Sequence, residues 1–147
     1  MSNTVNLHRV LKAPVSRVYR AFSNPEAKAA WLSPFGFICQ VHSYEFKVGG
    51  NYKMSFMNFT NEQRHSWTGT FTAIKPNELL VYKDKFEDPN LPGEMTVTIS
   101  LREVSCGTEL SIKQEGIPSL IPTEMCYLGW QESLIKLAQL VEPEIKP

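Results

Sequence analysis

Residues 95–101 read Met-Thr-Val-Thr-Ile-Ser-Leu. Met95, Val97, Ile99 and Leu101 fall on one side of an extended chain, and Thr96, Thr98 and Ser100 on the other. That period of two specifies a strand with one buried face and one wet face. Ser105-Cys106-Gly107 turns the chain into a further strand, Thr108 to Glu115, with Leu110 and Ile112 inward and Gln114 on the same parity. Upstream, Glu78 to Phe86 reads as a strand closed by the Pro-rich loop Glu87 to Gly93. Arg64 to Ile74 sets Trp67, Gly69, Phe71 and Ala73 against Ser66, Thr68, Thr70 and Thr72. Asn51 to Phe59 sets Tyr52, Met54 and Phe56 against Asn51, Lys53 and Ser55. Phe37 to Phe46 joins it through the hairpin turn Lys47-Val48-Gly49-Gly50.

Outside this meander lie one more strand and three helices. Thr4 to Leu11 alternates as a strand until Ala13-Pro14 stops it. The stretch Pro14 to Ser23 carries Val15, Val18, Tyr19 and Phe22 on one stripe, an amphipathic helix. Asn24 is a good N-cap for a short helix, Pro25 to Leu32, that presents Ala27, Ala30 and Trp31. Thr123 is expected to cap the last helix, which runs to about Val141 with a stripe of Tyr127, Trp130, Leu134, Leu137, Ala138 and Val141. An antiparallel meander twists and curls, and its inner face must be covered. The last helix is the only element long enough to cover it. The reading is one α+β domain over residues 1–147: a helix-grip arrangement, with a curved antiparallel sheet of about six to seven strands around the C-terminal helix. A helix across a strongly curved sheet leaves space beneath it, so an apolar pocket is expected.

Bulk properties narrow the function classes. The 147 residues are 42% hydrophobic and 20% charged, with 15 Lys+Arg against 15 Asp+Glu. A balanced chain without blocks of like charge is not built for nucleic acid. The start, MSNTVNLHRV, has no basic segment followed by an apolar run, and no apolar stretch approaches the roughly 20 residues of a membrane span. Cys39, Cys106 and Cys126 are odd in number and scattered, which suits reduced thiols and a cytoplasmic location.

Several pieces, in order, resemble one family. An Ala-Pro after the first strand leads into Val15-Ser16-Arg17-Val18-Tyr19-Arg20-Ala21-Phe22, and Asn24-Pro25-Glu26 precedes Trp31. Phe46-Lys47-Val48-Gly49-Gly50-Asn51-Tyr52, Trp67-Thr68-Gly69-Thr70-Phe71 and Gly129-Trp130-Gln131-Glu132-Ser133-Leu134 follow. Together they resemble the START-related helix-grip (SRPBCC) superfamily, and within it the group similar to the C-terminal domain of the activator of heat-shock protein 90 ATPase. The resemblance implies the grip geometry. For function it implies a range: binding of lipids, hormones or polyketides, contact with a chaperone, or cyclase-like and hydrolase-like catalysis. The chaperone activator has an additional N-terminal domain, whereas this chain starts at the first strand, so the resemblance does not by itself imply chaperone activation.

The expected pocket lining is Trp31, Phe35, Met54, Phe56, Trp67, Phe71, Tyr82, Met95, Gln114, Met125 and Trp130, with Trp31 and Phe35 at the mouth. Aromatics and methionines offer apolar area and adaptable shape to a small hydrophobic ligand; the same residues also suit plain core packing. The loops Trp31 to Phe37 and Gly116 to Pro122 carry apolar groups in segments that are usually polar, which fits a lid, packing against the helix ends, or a homodimer contact. Gln114 is the polar group expected to orient a ligand, beside Tyr82. It does not titrate, so no acid/base pair is expected there and catalysis is not the leading reading. His8, His42 and His65 lie on three different strands, so no metal site is expected. Three residues apart on a strand, Cys39 and His42 face opposite ways and form no nucleophile pair. No cofactor is expected. Gly49-Gly50 precedes a strand and is a turn, not a phosphate loop. The leading reading is a binding domain for a small apolar ligand, ahead of a chaperone-associated module and an enzyme.

Overall fold

The computed structural model describes residues 3–147. Met1 and Ser2, which begin the segment read above for a leader, lie outside the described residues. The elements are β1 (Val5–Leu11), α1 (Val15–Ser23), α2 (Pro25–Trp31), β2 (Phe37–Tyr44), β3 (Asn51–Asn58), β4 (Arg64–Lys75), β5 (Leu79–Phe86), β6 (Met95–Val104), β7 (Gly107–Glu115) and α3 (Thr123–Val141). One seven-stranded sheet, ordered β1-β7-β6-β5-β4-β3-β2, is antiparallel throughout and curls around the helices. This is the α+β helix-grip architecture. No helix among the described residues is long and apolar enough to cross a membrane.

Local chemistry sets the ends of the elements. Asn24 leaves α1 in an extended conformation and its side-chain oxygen accepts the Ala27 N–H at 3.1 Å, so one residue ends a helix and caps the next. At α3 the cap differs from the sequence reading. Pro122 stands at the N-cap without a side-chain bond, and Thr123 is already helical. Strand β2 stops at Tyr44, short of Phe46. The connection to β3 is stitched to the sheet by the Gly49 N–H on the Phe71 carbonyl (2.8 Å) and the Phe71 N–H on the Gly50 carbonyl (3.0 Å).

Two register shifts aim side chains. Between Phe71 and Ala73 the β4 chain carries an extra residue opposite β5. Parity flips, and Ile74, opposite inward Leu80, packs on the core where simple alternation places Ala73. A second shift, between Val41 and Ser43, brings Tyr44 opposite Tyr52 on the inner face. Its hydroxyl donates to the Phe22 carbonyl at 2.6 Å and ties the β2 edge to α1.

The core has two parts. Leu134, Leu137, Ala138 and Val141 of α3 are buried with Val18, Ala21 and Phe22 of α1 and the sheet residues Leu11, Ile99, Leu110 and Ile112. The second part is aromatic: Phe71 lies within 5.3 Å, centroid to centroid, of Tyr44, Phe46 and Tyr52. Tyr52 crosses the strand beside it because Gly69 is its partner there. A Cβ at Gly69 would overlap the Tyr52 ring, which is fully buried and cannot swing away. Gly69→Ala is therefore expected to destabilise the domain by about 1–3 kcal/mol, measured by urea denaturation; an unchanged midpoint would contradict this packing.

Candidate functional site

The first half of α3 does not pack like the second. Met125, Tyr127 and Leu128 are exposed, while Cys126 and Trp130 are half-buried and face the sheet across open space. Tyr127, read above as part of the buried stripe, therefore points outward. The space is a cavity of about 610 Å³. Its sheet wall comes from Met54 and Phe56 (β3), His65 and Trp67 (β4), Tyr82, Asp84 and Phe86 (β5), Met95 (β6) and Gln114 (β7). Its other wall is Met125, Cys126, Leu128, Gly129, Trp130, Glu132 and Ser133 of α3, with Lys28, Leu32, Pro34, Phe37, Leu91 and Ile121 completing the lining.

Most of the residues expected to line a pocket meet there: Met54, Phe56, Trp67, Tyr82, Met95, Gln114, Met125 and Trp130. Three do not. Trp31 is fully buried in the helical layer, where its Nε1–H donates to the Ala21 carbonyl at 2.8 Å and its ring stands edge-on to Phe22. Phe71 lies in the aromatic core behind the cavity wall. Phe35 is exposed at the surface. The loop that carries it is fastened to α3. The Ser133 hydroxyl donates to the Leu32 carbonyl, Lys136 Nζ donates to the Ser33 carbonyl at 2.9 Å, and the Phe35 N–H donates to Glu132 Oε1 at 3.1 Å. The other apolar loop buries Ile117, whose N–H donates to the Asn3 carbonyl, and it lends Ile121 to the cavity.

Gln114 projects inward, but its amide is engaged by protein. Its Oε1 accepts from Trp130 Nε1 at 2.7 Å and from the Cys126 thiol at 3.1 Å, and its Nε2 donates to Met95 Sδ at 3.2 Å. It joins α3 to the sheet across the cavity. Burial pushes the Cys126 and Cys39 thiols up to about 11, so neither is a ready nucleophile. Cys39 faces inward and is buried, while His42 bonds Ser55 Oγ at 2.9 Å on the other face of the strand. Among the described residues no three His, Cys, Asp or Glu side chains are placed to hold a metal ion.

Two buried charged residues of the cavity are ones the sequence reading did not single out. Lys28 of α2 is fully buried. Its ammonium lies 4.5 Å from the Tyr82 ring centroid, and 5.8 and 5.9 Å from those of Tyr44 and Phe22. Asp84 of β5 is buried with it and accepts a hydrogen bond from the Tyr52 hydroxyl. Burial pulls Lys28 down to about 8 against the attraction of Asp84. Burial pushes Asp84 up to about 6, against the Tyr52 hydrogen bond and the Lys28 charge. A pair of ionisable groups thus stands at the cavity, where only Gln114 and Tyr82 were expected. Sequence signals existed for both: Lys28 is one helical turn before Trp31, and Asp84 shares strand parity with Leu80 and Tyr82.

A curled antiparallel sheet gripping a C-terminal helix, with a cavity between them, defines a START-like (SRPBCC) domain. The chain belongs to the family described as activator of Hsp90 ATPase homolog 1-like protein, whose model matches residues 12–142. Among solved structures it is similar to protein CV1439 from Chromobacterium violaceum, with 54% identity, a TM-score of 0.95, and 97% of this chain and 99% of that chain covered. It is also similar in fold to a protein from Arthrobacter aurescens (20% identity, TM-score 0.82, 93% and 84% covered). An AHSA1-like protein from Aeromonas hydrophila shares the fold as well (17% identity, TM-score 0.76, 95% and 92% covered). No curated protein matches the chain.

Two measurements check the electrostatics and the tie. The unfolded chain holds the Lys28 proton up to 10.5 and the folded chain releases it near 8, so this group makes stability rise with pH across that window. Asp84 acts in the opposite sense, its folded form binding a proton near 6 and its unfolded form near 3.8, so stability falls as pH rises between them. Urea midpoints recorded from pH 4 to pH 10 should lose the first slope in Lys28→Met and the second in Asp84→Asn. Gln114→Leu leaves the Trp130 N–H without its acceptor and is expected to lower stability by about 1–3 kcal/mol, with a change in Trp130 emission.

Proposed function

We propose that this domain binds a small, largely apolar molecule in the cavity between the sheet and α3. The observation that carries the reading is the cavity itself: about 610 Å³, walled by Met54, Phe56, Trp67, Phe86, Met95 and Trp130, within the size range of small-molecule sites. Covering about 300 Å² of apolar ligand surface gains roughly 7 kcal/mol, of which only the surplus over the costs of association appears as affinity. A second reading, an enzyme of the cyclase or hydrolase kind, draws on Lys28 and Asp84 together at the cavity. A third, a chaperone-associated module, draws on the family's description and on Phe35, Leu120 and Leu128, exposed on the segments around the cavity.

Titration with the uncharged fluorophore N-phenyl-1-naphthylamine tests the leading reading. Saturable enhancement at one site per chain is expected. Cys126→Trp, which puts an indole into the cavity, should abolish it without unfolding the protein. Absence of uptake by the folded wild type would overturn the proposal.

A further inference from the structure

The apolar walls account for most of the cavity but not for Lys28. Among the described residues, its Nζ is the one buried side-chain nitrogen or oxygen without a hydrogen-bond partner. Three aromatic faces surround it, at 4.5, 5.8 and 5.9 Å. Such faces attract a cation, but they supply no lone pair for three N–H donors that have no acceptor of their own. An unsatisfied buried charge is destabilising, and an apolar side chain of similar volume would remove the penalty. Packing therefore explains the stem of Lys28 and leaves its ammonium unexplained.

Asp84 reaches the same cavity from the sheet side. Its Oδ1 takes the Tyr52 hydroxyl, and its carboxylate retains further lone pairs. The two groups come from different layers, α2 and β5, and form no direct ion pair among those within 4.0 Å. One donor without an acceptor and one acceptor with spare capacity thus share the cavity.

We propose that Lys28 and Asp84 form a headgroup subsite for an uncharged oxygen-bearing group, an alcohol, phenol or primary amide, carried at the inner end of an apolar ligand. The proposal rests on the cavity-binding reading above. Lys28 donates to the ligand oxygen, and the ligand's O–H or N–H donates to Asp84. Charge balance selects the class of head. The subsite already holds one positive and one negative group. A ligand carboxylate would face Asp84 and a ligand ammonium would face Lys28, each adding a third charge in an apolar surround. Glu132, the other acidic residue of the lining, is engaged by the Phe35 N–H.

Isothermal titration of the full chain at pH 7.5 with 4-butylphenol, butylbenzene, 4-butylbenzoate and 4-butylbenzylamine tests this. The phenol should bind about tenfold tighter than butylbenzene, the equivalent of one hydrogen bond to a charged group, and tighter than either ion. Lys28→Met should bring the phenol down to the level of butylbenzene. Asp84→Asn should weaken the phenol and strengthen the benzoate, because the ammonium then lacks its counter-charge. Equal binding of phenol and hydrocarbon, a benzoate that binds tightest to wild type, or a phenol preference unmoved by both variants would overturn the subsite and leave the cavity reading standing. Failure of all four probes on folded wild-type protein would overturn both.

Discussion

A straight helix cannot follow a curled sheet along its whole length, and this mismatch governs the molecule. Helix α3 makes its closest approach to the sheet at one end, where Leu134, Leu137, Ala138 and Val141 sink into the core beside α1 and β1. Having committed that end, it stands away from the sheet at the other. Residues facing inward there, Cys126 and Trp130, meet a gap that the Gln114 side chain of β7 bridges. The gap is a result of geometry, and its size depends on how far the sheet curls. The bulges in β2 and β4 matter for the same reason, since extra residues increase local twist and bend the strand.

The polar bonds around the gap act as struts. Gln114 spans from β7 to Trp130 and Cys126, while Ser133 and Lys136 hold the α2–β2 loop against α3. Without them, the half of α3 with little apolar burial would have little to hold its distance from the sheet. The Lys28–Asp84 pair works against this stability. Two ionisable groups within an aromatic cluster each have their protonation shifted toward neutrality, which is the signature of charges held in a poor solvent. The well-packed remainder of the core tolerates that tension.

Much of this was legible in the residues. Alternation through Met95 to Leu101 and through Asn51 to Phe56 assigned inward faces correctly, because the inner side of each strand is covered, although Ser55 on the outer side of β3 is buried as well. The misplacements have local causes. Ala73 gave way to Ile74 because a bulge shifts parity without any residue that announces it. Trp31 sits at the end of a helix next to a loop, and its side chain turns into the helical layer to reach the Ala21 carbonyl. Lys28 and Asp84 escaped notice because charged residues are ordinarily placed in solvent. Their positions on buried faces were written in the spacing, but hydrophobicity argued the other way.

The hydrogen-bonded struts along α3 also bear on what the cavity can select. A wall braced by hydrogen bonds does not settle inward onto an undersized guest. A guest that leaves part of the volume unfilled forgoes the contacts those walls would have made, and the lost dispersion attraction grows with the empty space. Rigid walls also mean that little side-chain freedom remains to be lost on binding, so a guest of matching shape keeps most of its burial energy. The amide of Gln114 thereby gives the cavity a lower limit on guest size to set beside the upper limit imposed by its volume.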